Sequence, residues 1–475
     1  MPEPFQLAIA AARSHGIPVI FVKLAFRSGA PEISMRNKGF SVYAGATDRG
    51  ESDPFSQIHE SVQPLPGEAD GKEVLVMPLW KRNMIFCWFG MFVTGVGMSQ
   101  IAPIMPLYIQ HMGVHSSASI ARLSGWAFGV TFILSAVFSP IWGAAADKVG
   151  RKPMLLRASL GMAVVIFCMG FAANVPVLIG LRLLQGVITG YSTACTAMIA
   201  AQTDREHAGW ALGTLSTANV SGGLLGPMIG GFMAQSFGLR YVFFITGALM
   251  LVAFLTTAFF VKESFVREEK RRPEMGGIWS SIPEKGLTLT LFVTFFILTV
   301  ALYSAEPILA VYMTELARGS GHIALMAGIT FSASGVATIV AAPRLGRLSD
   351  RIGAHKIILA ALIAAGVLFI PQAFVANPWE LMGLRFLLGL TAAGLTPSVN
   401  VLLKKITPPS LTGRMFGFSM SAGYLGVFAG SVLGGQIAAW LGIRYVFFLT
   451  GVLLLLNAAW VYCKLYEPIK ERSAT

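Results

Sequence analysis

One carboxylate, Glu306, lies well inside a long apolar run of this chain, and two arginines, Arg182 and Arg385, share that setting. A charge at such a position in a membrane costs about 2.5–3.5 kcal/mol unless it is solvated or paired. Residues that carry this cost are therefore the first candidates for function. A carboxylate that gains and loses its proton as its surroundings change can couple proton flow to another movement. Held permanently against Arg385, the same carboxylate is a static ion pair, and the residues support both readings. Arg182 opens the pattern R-x2-Q-G-x3-G with Gln185, Gly186 and Gly190. His111, His115, His207 and His322 lie in loops at no metal-ligand spacing, so no metal site or cofactor is expected. Cys87, Cys168, Cys195 and Cys463 sit in or at the ends of apolar runs and read as packing residues, not as a disulfide framework.

A second pattern concerns backbone approach. Gly213, Gly222, Gly226, Pro227, Gly230 and Gly231 punctuate an apolar run from about Trp210 to Gln235. Gly222, Gly226 and Gly230 fall four apart, on one helix face, where they let another backbone come close. Pro227 removes one internal hydrogen bond, which neighbouring helices make tolerable in a membrane. The spacing predicts a tight helix contact with a bend.

A third pattern is a charged loop, Gly143-x3-Asp147-Lys148-x-Gly150-Arg151-Lys152. Its glycines permit tight turns. Asp147 is an anion suited to capping a helix N-terminus across a domain interface, with the stretch near Gly413 as the expected partner. Arg151 is placed to pair with Asp204. Such contacts would close one side of a transport path in one state and break in the other; a loop whose cations only fix orientation is the alternative. A second copy keeps Gly346, Asp350, Arg351 and Gly353 but has Ala354 and His355 where the first has Arg151 and Lys152. No acid occurs in 404–414, so that half's latch is expected to be weaker.

The elements that position these residues are membrane spans. Of the residues, 55% are hydrophobic and 12% charged, with mean hydropathy +0.67, against about 25% charged in a soluble domain. Twelve apolar segments can span, at about 83–109, 122–146, 154–174, 176–202, 209–235, 240–261, 286–315, 323–343, 356–376, 378–403, 413–439 and 443–463. This predicts an all-α membrane protein: a half at 77–261, a linker at 262–285, a half at 286–467 and a tail at 468–475. Net charge +13 would suit nucleic acid, but the cations follow the membrane. With residue 82 inside, inner loops and the C-terminus carry 21 Lys/Arg, and the outer side carries Arg122, Arg240, Arg318 and Arg444. That asymmetry puts both termini in the cytoplasm and removes nucleic acid as a partner.

The halves repeat. FGLRYVFFITGALMLVAFL from Phe237 matches LGIRYVFFLTGVLLLLN from Leu441 at an offset of 204. Gly417, Gly426, Gly430, Gly434 and Gly435 reproduce the glycine frame of span five, with Ser431 in place of the proline. GLRLLQG at Gly180 mirrors GLRFLLG at Gly383 at an offset of 203, which pairs Arg182 with Arg385. Same-sense repeats of six spans imply a pseudo-two-fold axis along the membrane normal, with a site between the halves near the midplane.

Together, WKRN at Trp80, the charged loop, R-x2-Q-G-x3-G and the span-five glycine-proline pattern make 77–467 resemble the drug:proton antiporter branch of the major facilitator superfamily. The resemblance implies a monomeric, multi-pass protein of the bacterial inner membrane that exports diverse small drugs by alternating access, driven by proton entry. It also implies that spans one, four, seven and ten line the cavity, so that Arg182, Glu306 and Arg385 meet there, with Gln185, Gln100, Trp126 and Tyr191 as further lining candidates. The span-four arginine is the one associated with proton coupling in that superfamily. Span one has no acid but carries Gly95, Gln100, Pro103 and Pro106, and so looks like the family's bent first helix. Glu306 and Ala393 differ from the close relatives' pattern. An uptake symporter of the same fold and a membrane-tethered hydrolase are the alternatives.

The hydrolase alternative comes from residues 1–76. AIAAARSHGIPVIFVKLAFRSGAPEISMRNK resembles a middle portion of isochorismatase-like cysteine hydrolases. Those enzymes need an earlier Asp and a later nucleophilic Cys, and the first cysteine here is Cys87, inside span one. The segment is expected to be a non-functional appendage. A chain started at Met77 should insert and confer the same drug resistance as the 475-residue chain. Normal insertion with lost transport would instead make the segment regulatory.

Overall fold

A backbone in lipid must satisfy its polar groups internally, which long apolar runs do as helices. The computed structural model describes residues 78–263, 285–317, 322–407 and 411–467, with backbone alone at Asp147, Arg205, Glu206, Asp350, Thr412, Gly413 and Arg414. The hydrolase-like segment, the tail and most of the linker lie outside the described residues. So do the side chains of Asp147 and Asp350 and the expected capping partner near Gly413.

No strand occurs among the described residues. Helices α1 (Leu79–Ser99) and α2 (Ile101–His111) make a first span bent by 45° at Gln100. Then come α3 (Ser117–Val149), α4 (Arg151–Met169), a fourth span broken into α5 (Val175–Ile188) and α6 (Tyr191–Gln202), α7 (Arg205–Phe237) and α8 (Leu239–Phe260). The second half repeats this order. It comprises α9 (Lys285–Leu316), α10 (Ile323–Ile352), α11 (Ala354–Gln372), α12 (Pro378–Ala392), α13 (Leu395–Ile406), α14 (Thr412–Trp440) and α15 (Ile443–Val461). Among the described residues ten helical segments are long and apolar enough to cross a membrane, eleven with the bent first pair counted as one. The expected span missing from that count is α7: its 33 residues suffice in length, but glycine, serine and threonine dilute its apolarity.

The repeat extends to single hydrogen bonds. Gln100 Nε2 donates to Thr246 Oγ1, and at the same offset Ser304 and Thr450 hydroxyls meet at 2.7 Å. Tyr108 donates to Met169 O at 2.8 Å, as Tyr312 does to Gln372 O at 3.2 Å. Asn174 caps α5 and Asn377 caps α12 through side-chain oxygens that accept from Val177 N and Glu380 N. Gly150, Gly238 and Gly353 are single-residue links and Gly442 follows Leu441 in a two-residue one; all four glycines take φ between 98° and 104°, a region that glycine enters without a Cβ penalty.

The halves meet along one end only. Call the end holding Gly150 and Gly353 the basic end, after its cations. Away from it, α3 lies against α14, and a Cβ on Gly125 would stand 2.3 Å from Ser431 O. Likewise α7 lies against α10, where a Cβ on Gly328 would stand 2.3 Å from Pro227 O. Toward the basic end, Gly143, Gly213, Gly346 and Gly417, on the same four helices, have no atom of the described residues within 4 Å of the same position. The structure is therefore closed opposite the basic end and open toward it.

Candidate functional site

Arg182 and Arg385 occupy equivalent positions in very different company. Arg182, 1% exposed, donates from Nε to Ala127 O at 2.8 Å, from Nη2 to Phe128 O at 3.2 Å, and from Nη1 to Gln185 Oε1. Its guanidinium is fully occupied by helix α3 and its own turn. Arg385, 6% exposed, has Nε and Nη2 buried without a hydrogen-bond partner, and stands 5.7 and 5.8 Å from the ring centres of Phe369 and Phe447. The sequence explains the contrast: three residues after Arg182 comes Gln185, and three after Arg385 comes Leu388.

Glu306, half-buried on α9, and Arg385 act on each other electrostatically, yet they are not within ion-pair distance. Around Glu306 the two halves bring aromatic rings together. Tyr303 lies 6.3 Å from Phe128 and 6.4 Å from Phe132 of α3, and Phe132 lies 6.2 Å from Tyr424 of α14. The carboxylate thus sits one turn beyond Tyr303, beside an aromatic cluster drawn from both halves. This arrangement suits an acid that changes partners: Arg385 is near enough to attract it and too far to hold it.

Four residues expected to face the cavity with Glu306 lie elsewhere. Arg182 remains in the first half, where no carboxylate of the described residues acts on it. Gln185, fully buried, accepts from Arg182 and donates to Met98 Sδ at 3.3 Å. Gln100 turns toward Thr246 of α8, at the bend between α1 and α2. Tyr191, 1% exposed, is core: its hydroxyl meets Thr257 Oγ1 at 2.9 Å, and its ring fills the space left by the missing side chain of Gly90. Trp126 stands at the α3–α14 seam, edge-on to Phe428 at 6.1 Å and 38% exposed.

The span-five pattern serves two neighbours. Gly222 and Gly226 turn to α1, where a Cβ on Gly222 would stand 2.6 Å from Phe92 O, and Gly230 turns to Gln100 and Ile104 at the bend into α2. Gly231 turns to the other half, 2.5 Å by the same measure from Ala324 O, and two turns along α10 Ser332 donates to Leu224 O at 2.7 Å. Gly213 contacts neither, and α7 runs unbroken through Pro227.

In the charged loop, Arg151 and Asp204 form no ion pair; the acid that meets the loop is Glu263. Its carboxylate accepts from Arg151 N at 2.9 Å and Lys152 N at 2.7 Å, capping α4, whose N-terminal amides would otherwise be unpaired. Lys152 Nζ returns to Ala258 O at 2.9 Å. Gly150 supplies the turn, Gly143 faces open space, and Arg351 ends α10.

Asn83, fully buried, does work that the residue pattern did not reveal. It donates to Gln202 Oε1 and Lys262 O, both at 2.7 Å, and accepts from Lys262 N at 3.1 Å, joining the starts and ends of spans one, four and six. The available signal was a lone Asn beside Lys81-Arg82 at the head of an apolar run. Asn83→Leu leaves those groups unpaired, at about 2–3 kcal/mol. It is expected to lower the melting temperature of the purified protein while leaving drug affinity unchanged. A variant that melts with the wild type would show that these bonds contribute nothing net.

Comparison with known proteins fits this geometry. A family model, Major Facilitator Superfamily, matches residues 87–331 and again 291–475. Multidrug resistance protein MdtG of Salmonella paratyphi B is 44% identical over 380 residues, 80% of this chain and 94% of that protein. The protein of the same name from Salmonella typhimurium matches to the same extent. In fold, the crystal structure of nucleoside transporter NupG superposes with a TM-score of 0.64 at 14% identity, over 82% of this chain and all of that one. The human organic anion transporter MFSD10 superposes at 0.59 with 18% identity, over 81% of this chain and all of that one. Two repeated halves, a bent first span and a family match to each half have one meaning: this multi-pass membrane protein belongs to the Major Facilitator Superfamily.

Proposed function

We propose that the chain is a proton-driven exporter of structurally diverse small drugs, acting as a monomer in a bacterial inner membrane with both termini inside. The observation that carries the reading is Glu306, a half-buried acid inside a span, beside aromatic rings from both halves and within electrostatic reach of an arginine with free hydrogen-bonding capacity. The 44% identity to proteins named for multidrug resistance supports the substrate class. The cation-rich end faces the cytoplasm by the positive-inside rule, which makes the present state inward-open. Protonation of Glu306 weakens its attraction to Arg385, and that change biases the two-state seam. In the outward state the charged loop closes the basic end, with Asp147, Lys148, Arg151 and Asp350 as its gating charges. The glycine-proline face of α7 allows the slide.

Direction of transport is the test. Inside-out vesicles with an acidic lumen should accumulate a fluorescent drug, and collapse of the gradient should release it. Uptake by intact cells along the inward proton gradient would establish the symporter reading instead.

A further inference from the structure

The break in span four lies between Ile188 and Tyr191, where Gly190 takes φ of 120°. A break inside a membrane frees carbonyls that need donors. Here side chains supply them. Gly186 O accepts from Thr189 Oγ1 at 3.0 Å, Val187 O from Trp142 Nε1 at 2.7 Å, and Thr189 O from Arg157 Nη2 at 3.0 Å. Arg157, on α4, lies flat on Trp142, of α3, at 3.7 Å from the ring centre. Three spans are thereby clasped at one point, through a stacked cation and ring.

The second half shows what the clasp replaces. At an offset of 203, Trp142, Arg157 and Gly190 correspond to Leu345, Ala360 and Ala393, and Ala393 keeps a right-handed φ of −55°. All three special residues are present in one half, and none in the other. Beyond the break, α6 presents Thr193, Thr196, Ala197 and Ala200 as exposed residues toward the open, basic end. The angle at the break therefore sets where α6 and its exposed face stand at the basic end.

We propose that Arg157, stacked on Trp142, is a positioning residue of transport that holds the broken fourth span and so fixes the entrance wall formed by α6. It goes beyond the coupling role of Glu306 and does not depend on the driving ion. An arginine with Nε and Nη1 buried and unpaired would be a poor choice for fold stability alone. Its use is explained by the carbonyl it holds and the plane it stacks on.

The test uses the full chain with Cys463→Ser, which removes the exposed cysteine, and one reporter cysteine at a time: Thr193→Cys on α6 or Phe418→Cys on α14. Labelling by a membrane-impermeant maleimide at the open end reports each wall separately. Arg157→Ala should change the Thr193→Cys labelling rate by about tenfold and leave that of Phe418→Cys alone, since one charge-assisted bond and its stacking are lost. Maximal transport rate should fall by a similar factor with drug affinity retained. Arg157→Lys, which keeps the charge and a donor, should restore part of both. Trp142→Phe keeps a ring but drops the bond to Val187, and should be intermediate, which keeps the test usable if Arg157→Ala does not fold. Unchanged labelling and transport in both Arg157→Ala and Trp142→Phe would overturn the proposal. So would equal changes at both reporter sites. Loss of transport or of proton dependence in Arg157→Ala with normal α6 labelling would overturn it as well, since α6 would then be in place without the clasp.

Discussion

Glu306→Gln should abolish gradient-driven export while drug binding and drug–drug exchange remain measurable. The substitution keeps size and hydrogen-bonding capacity but fixes the neutral state, so a protonation cycle stops and a binding surface survives. The competing reading, a static pair with Arg385, makes a different prediction for the double variant Glu306→Gln with Arg385→Gln. A structural pair costs most when one charge is left alone, about 3–5 kcal/mol, and little when both are removed. The double variant should then recover expression and transport together. A coupling acid gives the other outcome: the double variant regains stability and stays unable to pump. Export that follows the proton gradient in Glu306→Gln would end the coupling role of this residue, and direct attention to another proton carrier.

Arg182→Ala and Arg385→Ala should fail in different ways. Arg182 makes three hydrogen bonds to carbonyls and an amide, each worth about 1.5–3 kcal/mol for a charged donor. Removing the charge relieves only about 2.5–3.5 kcal/mol of membrane penalty. The balance is a net loss of about 1–6 kcal/mol, so Arg182→Ala should reduce the amount of folded protein, seen as a lower melting temperature and poor recovery from the membrane. Arg385 has two unpaired nitrogens and no such bonds to lose. Arg385→Ala should fold nearly normally and lose coupling. A sharper version is Leu388→Gln, which offers Arg385 the partner that Gln185 gives Arg182. It should slow transport without destabilising the protein. Equal melting losses in both alanine variants would return both arginines to a purely structural role.

Much of the architecture was legible in the sequence because glycine spacing and the two-fold repeat are backbone statements. Gly222, Gly226 and Gly230 shared a face, as their spacing of four requires, and the bend at Gln100 came where Gly95, Pro103 and Pro106 surround it. Facing was harder to read. Tyr191 and Gln100 were expected at the cavity and are held inside the first half by Thr257 and Thr246. In water a helix shows its buried side through amphipathicity; in lipid the outer face is as apolar as the core, so the pattern carries little information about direction. The orphaned state of Arg385 was present in the sequence as Leu388 opposite Gln185, but it acquires meaning only once Arg182 is seen to depend on Gln185. Glu263, which caps α4, comes from 111 or 112 residues further along, too far for any local pattern to suggest.

The single-glycine links at Gly150, Gly238, Gly353 and Gly442 have a consequence for how the chain enters the bilayer during synthesis. Each joins two full spans with one residue between them, or two at Leu441-Gly442, so neither partner has slack to cross and settle alone. Spans two and three, five and six, eight and nine, and eleven and twelve are accordingly delivered as hairpins. A bulky β-branched residue at Gly150 or Gly353 should show its defect before any drug is present, as nascent chains with the wrong number of crossings. Four glycine turns would thus act on membrane insertion before they act on transport.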